Sequence, residues 1–212
     1  MAASTPFEQG AVRGLLDRPA GEPSAGLVLA HGAGGNCRMP LLAAVADAFV
    51  RAGIAVLRID LPFRQKRPRG APSRGDAAAD QAGLGEAVAA LRELIAGRVF
   101  LGGQSYGGRQ ASMLAAEAPE IAPALLLLSY PLHPPGKPET LRTAHFPALR
   151  TPALFVHGAR DSFASEAELR AALALIPART ELVELPRAGH ELARGAFDAD
   201  TLVAAPFLQL AG

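Results

Sequence analysis

The sequence predicts an α/β fold: a doubly wound, mostly parallel sheet of about six to seven strands. Three observations predict it. Short apolar runs rich in Val, Ile and Leu alternate with longer helix-forming segments, the order of a sheet covered by helices on both faces. The runs lack strict apolar/polar alternation, as parallel strands buried on both sides do. Glycine and polar residues crowd the positions just after several runs, and in such sheets ligands bind beyond the carboxyl ends of the strands.

Along the chain, the predicted parallel strands are Gly26 to Ala30, Ile54 to Ile59, Arg98 to Leu101, Ala124 to Ser129, Ala153 to His157 and Glu181 to Leu185. A short strand from Val12 to Leu16 adds an antiparallel edge. Helices are predicted over Pro40 to Arg51, Ala77 to Ala96, Arg109 to Ala118, Ser165 to Leu175 and Asp198 to Leu210. Residues 1–212 fit one domain with a single large core.

Composition narrows the function. Hydrophobic residues make up 50% and charged residues 19%, a globular balance. A formal net charge of +1, no Trp and two Tyr argue against nucleic-acid binding, which needs basic surface or stacking aromatics. Cys37 is the only cysteine, so neither an intrachain disulfide nor a cysteine-based metal cluster can form. The first residues, MAASTPFEQGAVRG, lack the basic and apolar regions of a signal peptide, and no stretch approaches the roughly 18 apolar residues of a membrane span. The expectation is a cytoplasmic protein without membrane or nucleic-acid partners, as a monomer or small homo-oligomer, with no cofactor and no metal.

Chemistry concentrates at Gly102-Gly103-Gln104-Ser105-Tyr106-Gly107-Gly108. A serine between glycines, after the apolar Val99 to Leu101 and before a helix, is the pattern of a nucleophile elbow. The glycines leave room for a tight turn and for close approach of neighbouring backbone. Acyl transfer by serine needs a base near neutral pH, which His190 in Ala188-Gly189-His190 can be. Asp161, after the run ending at His157, is the carboxylate to fix the imidazole tautomer. Asp161 also fits as a helix cap or turn residue, with Glu166 and Glu191 as fallback acids. Oxyanion donors are the backbone amides of Tyr106 and of Ala33 or Gly34 in His31-Gly32-Ala33-Gly34-Gly35, with Ala33 preferred. His31 reads as a structural ring holding this loop. A phosphate-cradling loop lacks its G-x-G-x-x-G pattern and its Walker lysine here.

The motifs HGAGG, GGQSYGGR, HGARDSF and AGH resemble the oxyanion loop, nucleophile elbow, acid loop and histidine loop of the α/β-hydrolase fold, from about Gly26 to the C-terminus. The chain is similar to the compact dienelactone-hydrolase-like branch and to the group of testis-expressed and NSL-complex hydrolase-like proteins, whose elbow is followed by a glycine pair and a basic residue, here Arg109. The order Ser105, Asp161, His190 is the order of that fold. The resemblance implies ester-type hydrolysis of a small acyl substrate through these three residues and an acyl-enzyme. It does not imply a particular substrate.

Many members carry a lid after the strand matching Ala124 to Ser129. Here only the Pro-rich Tyr130 to Thr151 intervenes, so no cap domain is expected and smaller or more polar acyl groups are favoured. After Asp60-Leu61-Pro62-Phe63 come Arg64, Lys66, Arg67, Arg69 and Arg74, either a solvated loop or a basic lip for anionic substrates. Gly34, Phe63 and Arg64 are the candidate substrate contacts. Two functions fit: a serine hydrolase, or a non-catalytic hydrolase-fold interaction or scaffold protein.

Overall fold

The computed structural model describes residues 4–192 and 197–212. Eight strands form one sheet in the order β1-β2-β4-β3-β5-β6-β7-β8. β1 (Ser4–Gln9) and β2 (Val12–Asp17) make an antiparallel hairpin, and β2 pairs antiparallel with β4 (Ile54–Ile59). The rest is parallel: β3 (Ala25–Ala30), β5 (Arg98–Gln104), β6 (Leu125–Leu128), β7 (Ala153–Gly158) and β8 (Thr180–Leu185) continue from β4. The sheet therefore has one strand more than the predicted six to seven. That strand is β1, an edge strand of sequence STPFEQ whose residues are exposed or half-buried, so it carries no apolar run.

Both faces of the sheet are covered, and the alternation of side chains along each strand splits the core in two. In β3, Leu27 and Leu29 point to one side with Val45, Phe49 and Phe207, and Val28 and Ala30 point to the other with Leu84, Val88 and Leu91. The first side is closed by α1 (Pro40–Arg51) and α6 (Ala205–Ala211), where Phe207 meets Phe49 and Phe100 edge-on. The second is closed by α3 (Ala77–Leu94), α4 (Tyr106–Glu117) and α5 (Glu166–Leu173). A five-residue helix, α2 (Pro62–Lys66), lies where the sequence suggests a loop; it is too short to show helical periodicity.

Two boundaries move for physical reasons. β5 runs through Gly102, Gly103 and Gln104, and α4 starts at Tyr106 rather than Arg109. Helix propensity disfavours Gly107 and Gly108, yet the packing demands them: a Cβ on Gly107 would lie 2.5 Å from the His31 carbonyl oxygen, and one on Gly103 would lie 2.6 Å from the Gly107 carbonyl carbon. The last predicted helix divides into a π-type turn, Asp200–Ala204, and α6. Pro206 has no N–H for an α-helical bond to Leu202, which breaks the regular ladder there.

Between β6 and β7 the chain forms only one short 3-10 turn, Phe146–Ala148, and no cap domain. Tyr130 and Phe146 pack it down, with ring centroids 5.3 Å apart. On the opposite flank, Arg58 of β4 donates to buried Asp17 of β2 through Nε (2.7 Å) and Nη2 (2.9 Å). Among the described residues no helix is long and apolar enough to cross a membrane.

Candidate active site

Ser105 sits at the junction of β5 and α4 with φ 50° and ψ −114°. For a non-glycine residue this conformation costs on the order of 1–3 kcal/mol and persists only where neighbours hold it. Its N–H donates to Leu128 O of β6 (2.8 Å), and its carbonyl accepts from Arg109 N of α4 (2.9 Å). The turn is thus pinned from sheet and helix together.

The loops after β7 and β8 bring two more side chains to this corner. His190 Nδ1 lies 2.7 Å from Asp161 Oδ2, and His190 Nε2 lies 2.9 Å from Ser105 Oγ. A carboxylate only accepts, so Nδ1 carries the proton and Nε2 offers its lone pair to the serine hydroxyl. Such a relay can take a proton from Ser105. The Asp161 carboxylate has no solvent exposure, and its Oδ1 accepts from Phe163 N at 2.8 Å.

The fallback acids lie elsewhere in the hydrogen-bond pattern. Glu166 accepts from Arg170 one turn along α5, and Glu191 lines a cavity of about 390 Å³ with Arg160, Arg187, Gly189 and His190. A larger cavity of about 530 Å³ lies at the opposite ends of the strands, near Arg98 and Pro123, away from the serine.

The loop after β3 closes against the elbow; a Cβ on Gly32 would stand 3.4 Å from Ser105 Cβ. His31 is fully buried, donates from Nδ1 to Gly32 O (2.7 Å), and accepts Leu61 N–H at Nε2 (3.2 Å). Burial lowers its pKa, so the ring stays neutral and structural. Gly35 N–H closes a turn onto Gly32 O (3.0 Å), leaving Ala33 and Gly34 at its tip. Neither Ala33 nor Gly34 donates its N–H to another backbone group among the described residues. Tyr106 N–H opens α4 and belongs to the first turn, which has no intrahelical acceptor.

Two candidate substrate contacts are buried. Phe63 is 1% exposed and packs edge-on between His31 and Tyr106. Arg64 is 7% exposed and spends its guanidinium on backbone carbonyls of Ala33, Gly35, Arg67 and Gly70. An apolar ring and a guanidinium satisfied by carbonyls are both stable inside the protein. The five-charge lip is likewise reduced, since Arg67 pairs with Asp76. Gly34 remains open to its surroundings, since a Cβ there would meet nothing within 4 Å. Burial and nearby Asp60 push the Cys37 thiol up to about 11, so it is no nucleophile at neutral pH.

Residues 23–202 match the model of the alpha/beta hydrolase domain family. The chain belongs to the alpha/beta hydrolase family. Solved structures share this hydrolase fold across the whole chain. A dienelactone hydrolase from Anabaena variabilis is 24% identical, with a TM-score of 0.74 over 99% of this chain and 96% of its own. A protein from Xanthomonas campestris, described as an a/b serine hydrolase without lid, is 19% identical, with a TM-score of 0.72 over 100% and 96%. Est1E from Butyrivibrio proteoclasticus, solved with ferulic acid, is 17% identical, with a TM-score of 0.76 over 98% and 100%.

Four further residues, none of them singled out by the sequence, shape this corner of the fold. Phe163 stacks on His190 at 4.2 Å. Ser129, at φ 48°, donates from Oγ to His190 O at 2.7 Å and so ties down the histidine loop. Buried His157 donates from Nε2 to Ala164 O, with Nδ1 3.8 Å from Asp161 Oδ2. Asp80 of α3 accepts from Tyr106 Oη (2.6 Å) and Phe63 N (2.9 Å); a lone acid among the alanines opening α3 is its only mark in the sequence. Among the described residues no group of three or more His, Cys, Asp or Glu could hold a metal ion.

Proposed function

We propose that this chain is a serine hydrolase that cleaves a carboxylic ester or related acyl bond through an acyl-enzyme intermediate. The observation that carries the reading is the relay from Ser105 Oγ through His190 to Asp161, with contacts of 2.9 and 2.7 Å. Ser105 Oγ attacks the carbonyl carbon while its proton passes to His190 Nε2. Asp161 stabilises the imidazolium. The tetrahedral oxygen takes hydrogen bonds from the N–H groups of Ala33 and Tyr106, with Gly34 N–H beside them. His190 then protonates the leaving alcohol, and the C–O bond breaks. Water attacks the acyl-enzyme with His190 again as base, which releases the acid and restores Ser105.

The absence of a cap between β6 and β7 favours small or polar acyl groups. The likeness to a dienelactone hydrolase, and to Est1E with its ferulic acid, supports carboxylic ester chemistry. A non-catalytic interaction module would have no use for an aligned proton relay. The test is turnover of nitrophenyl acetate and butyrate. Ser105→Ala should keep the fold and lose about 10³-fold or more in kcat. A variant with wild-type turnover would refute the assignment, and a folded wild type without any ester turnover would restore the interaction-module reading.

A further inference from the structure

Resting on the hydrolase reading, we propose that Arg64 is a positioning residue: its buried guanidinium selects the peptide orientation that makes the Ala33–Gly34 loop a donor of hydrogen bonds to the oxyanion. Asp80 ties the same frame to Tyr106, so both halves of the oxyanion hole are mounted on α2.

Arg64 has no carboxylate partner among the described residues. It is held instead by four carbonyl oxygens: Nε donates to Gly35 O at 2.7 Å, Nη2 to Ala33 O at 2.8 Å and Gly70 O at 3.0 Å, and Nη1 to Arg67 O at 3.1 Å. A buried cation without a counter-charge demands such acceptors, and two of the four belong to the loop beside Ser105.

In a planar trans peptide the carbonyl and the following N–H point in opposite directions. Drawing Ala33 O toward Arg64 therefore turns Gly34 N–H away from it. Gly32 O is engaged by His31 Nδ1 and Gly35 N, which turns Ala33 N–H outward in the same way. The loop offers two donors because its acceptors are already occupied.

This orientation is one of two available to the turn. Gly34 is its third residue, and flipping the central peptide converts one turn type to the other by giving that residue a positive φ, which glycine accepts readily. Gly34 does not adopt a positive φ here. A flipped peptide would present Ala33 O where Gly34 N–H had been, and an acceptor there repels the developing oxyanion. Arg64 holds the unflipped form.

α2 is itself anchored on both sides. Phe63 N donates to Asp80 Oδ1 and Tyr106 Oη to Oδ2, and Leu61 N donates to His31 Nε2. Arg64 thus links the loop after β3 to the start of α4 through two buried side chains.

The test uses Arg64→Met and Arg64→Lys, after wild type is shown to hydrolyse nitrophenyl acetate and to take a phosphonate on Ser105. Arg64→Met should lose about 10²-fold to 10³-fold in kcat, the scale of a lost oxyanion donor, with KM changed less than threefold. Affinity for butylboronic acid, whose adduct with Ser105 is tetrahedral and anionic, should fall in parallel. Arg64→Lys keeps the charge but not the fork; it should show a smaller loss of the same kind, and it carries the test if Arg64→Met does not fold. Adding Gly34→Ala to Arg64→Lys disfavours the flipped turn and should recover about tenfold in kcat. Arg64 variants with wild-type kcat and boronate affinity, or with reduced kcat at unchanged boronate affinity, would overturn the inference while leaving the hydrolase reading intact. A wild type inert to both ester and phosphonate would overturn the two together.

Discussion

Phe163 lies face to face with the His190 imidazole, ring centroids 4.2 Å apart and planes inclined by 29°, while its own N–H donates to Asp161 Oδ1. One residue thereby steadies both the proposed base and the acid behind it. Ring contacts of this kind are worth about 0.5–1.5 kcal/mol. Phe163→Ala should cost up to about tenfold in kcat for a short nitrophenyl ester, with a smaller change in KM. Phe163→Tyr, which keeps the ring, should stay near wild type.

Asp161→Asn leaves the shape of the acid and changes its hydrogen bonding. The amide stabilises the wrong imidazole tautomer, which places a proton on Nε2 where Ser105 needs an acceptor. Turnover should fall by about 10⁴-fold with the melting temperature little altered. Glu166→Gln, which removes the charge that pairs with Arg170 on the surface of α5, should leave the rate unchanged. The reverse pattern would move the acid to Glu166.

The buried Asp17–Arg58 pair predicts an asymmetry in stability. Asp17→Ala strands a guanidinium that is 4% exposed and should cost about 3–5 kcal/mol in chemical denaturation. Replacing both partners, as Asp17→Leu with Arg58→Met, should recover most of that loss, because no charge remains buried. A double variant as unstable as Asp17→Ala alone would contradict this account.

The placement of these residues is legible in the chain to different degrees. Val99 to Leu101, Ala153 to His157 and Glu181 to Leu185 are strand-forming runs, each followed by glycine within four residues. Ser105, Asp161 and His190 can therefore be assigned to one edge of the sheet by counting strands. The meeting of their side chains depends on strand order and loop paths that no local pattern encodes. β1 escapes because an exposed edge strand needs no apolar run. The burial of Arg64 is hidden because a basic run looks solvated; it follows from four carbonyls supplied mainly by distant or irregular backbone. Ser129 at positive φ and the Phe163 stack likewise arise only from tertiary packing.

Stability should decline with acid in a defined window. Burial, with Arg109 nearby, pushes the His145 pKa down from 6.5 to about 4. Its unfolded form takes a proton first, so between these values the unfolded state binds more protons and stability drains away as pH falls. Above about 6.5 the contribution is fully present. Denaturation midpoints should therefore drop from about pH 7 to about pH 5, and His145→Gln should flatten that slope. Buried His31, also lowered, leaves part of the slope in place. Identical slopes in wild type and His145→Gln would exclude this cause.

The central claim is that Ser105 is a nucleophile activated by His190, and labelling with a fluorophosphonate followed by peptide mass mapping tests it most directly. One adduct per chain is expected, on Ser105, with labelling abolished in Ser105→Ala and slowed by orders of magnitude in His190→Ala. An unlabelled wild type, an adduct on another residue, or equal labelling of Ser105→Ala would contradict it.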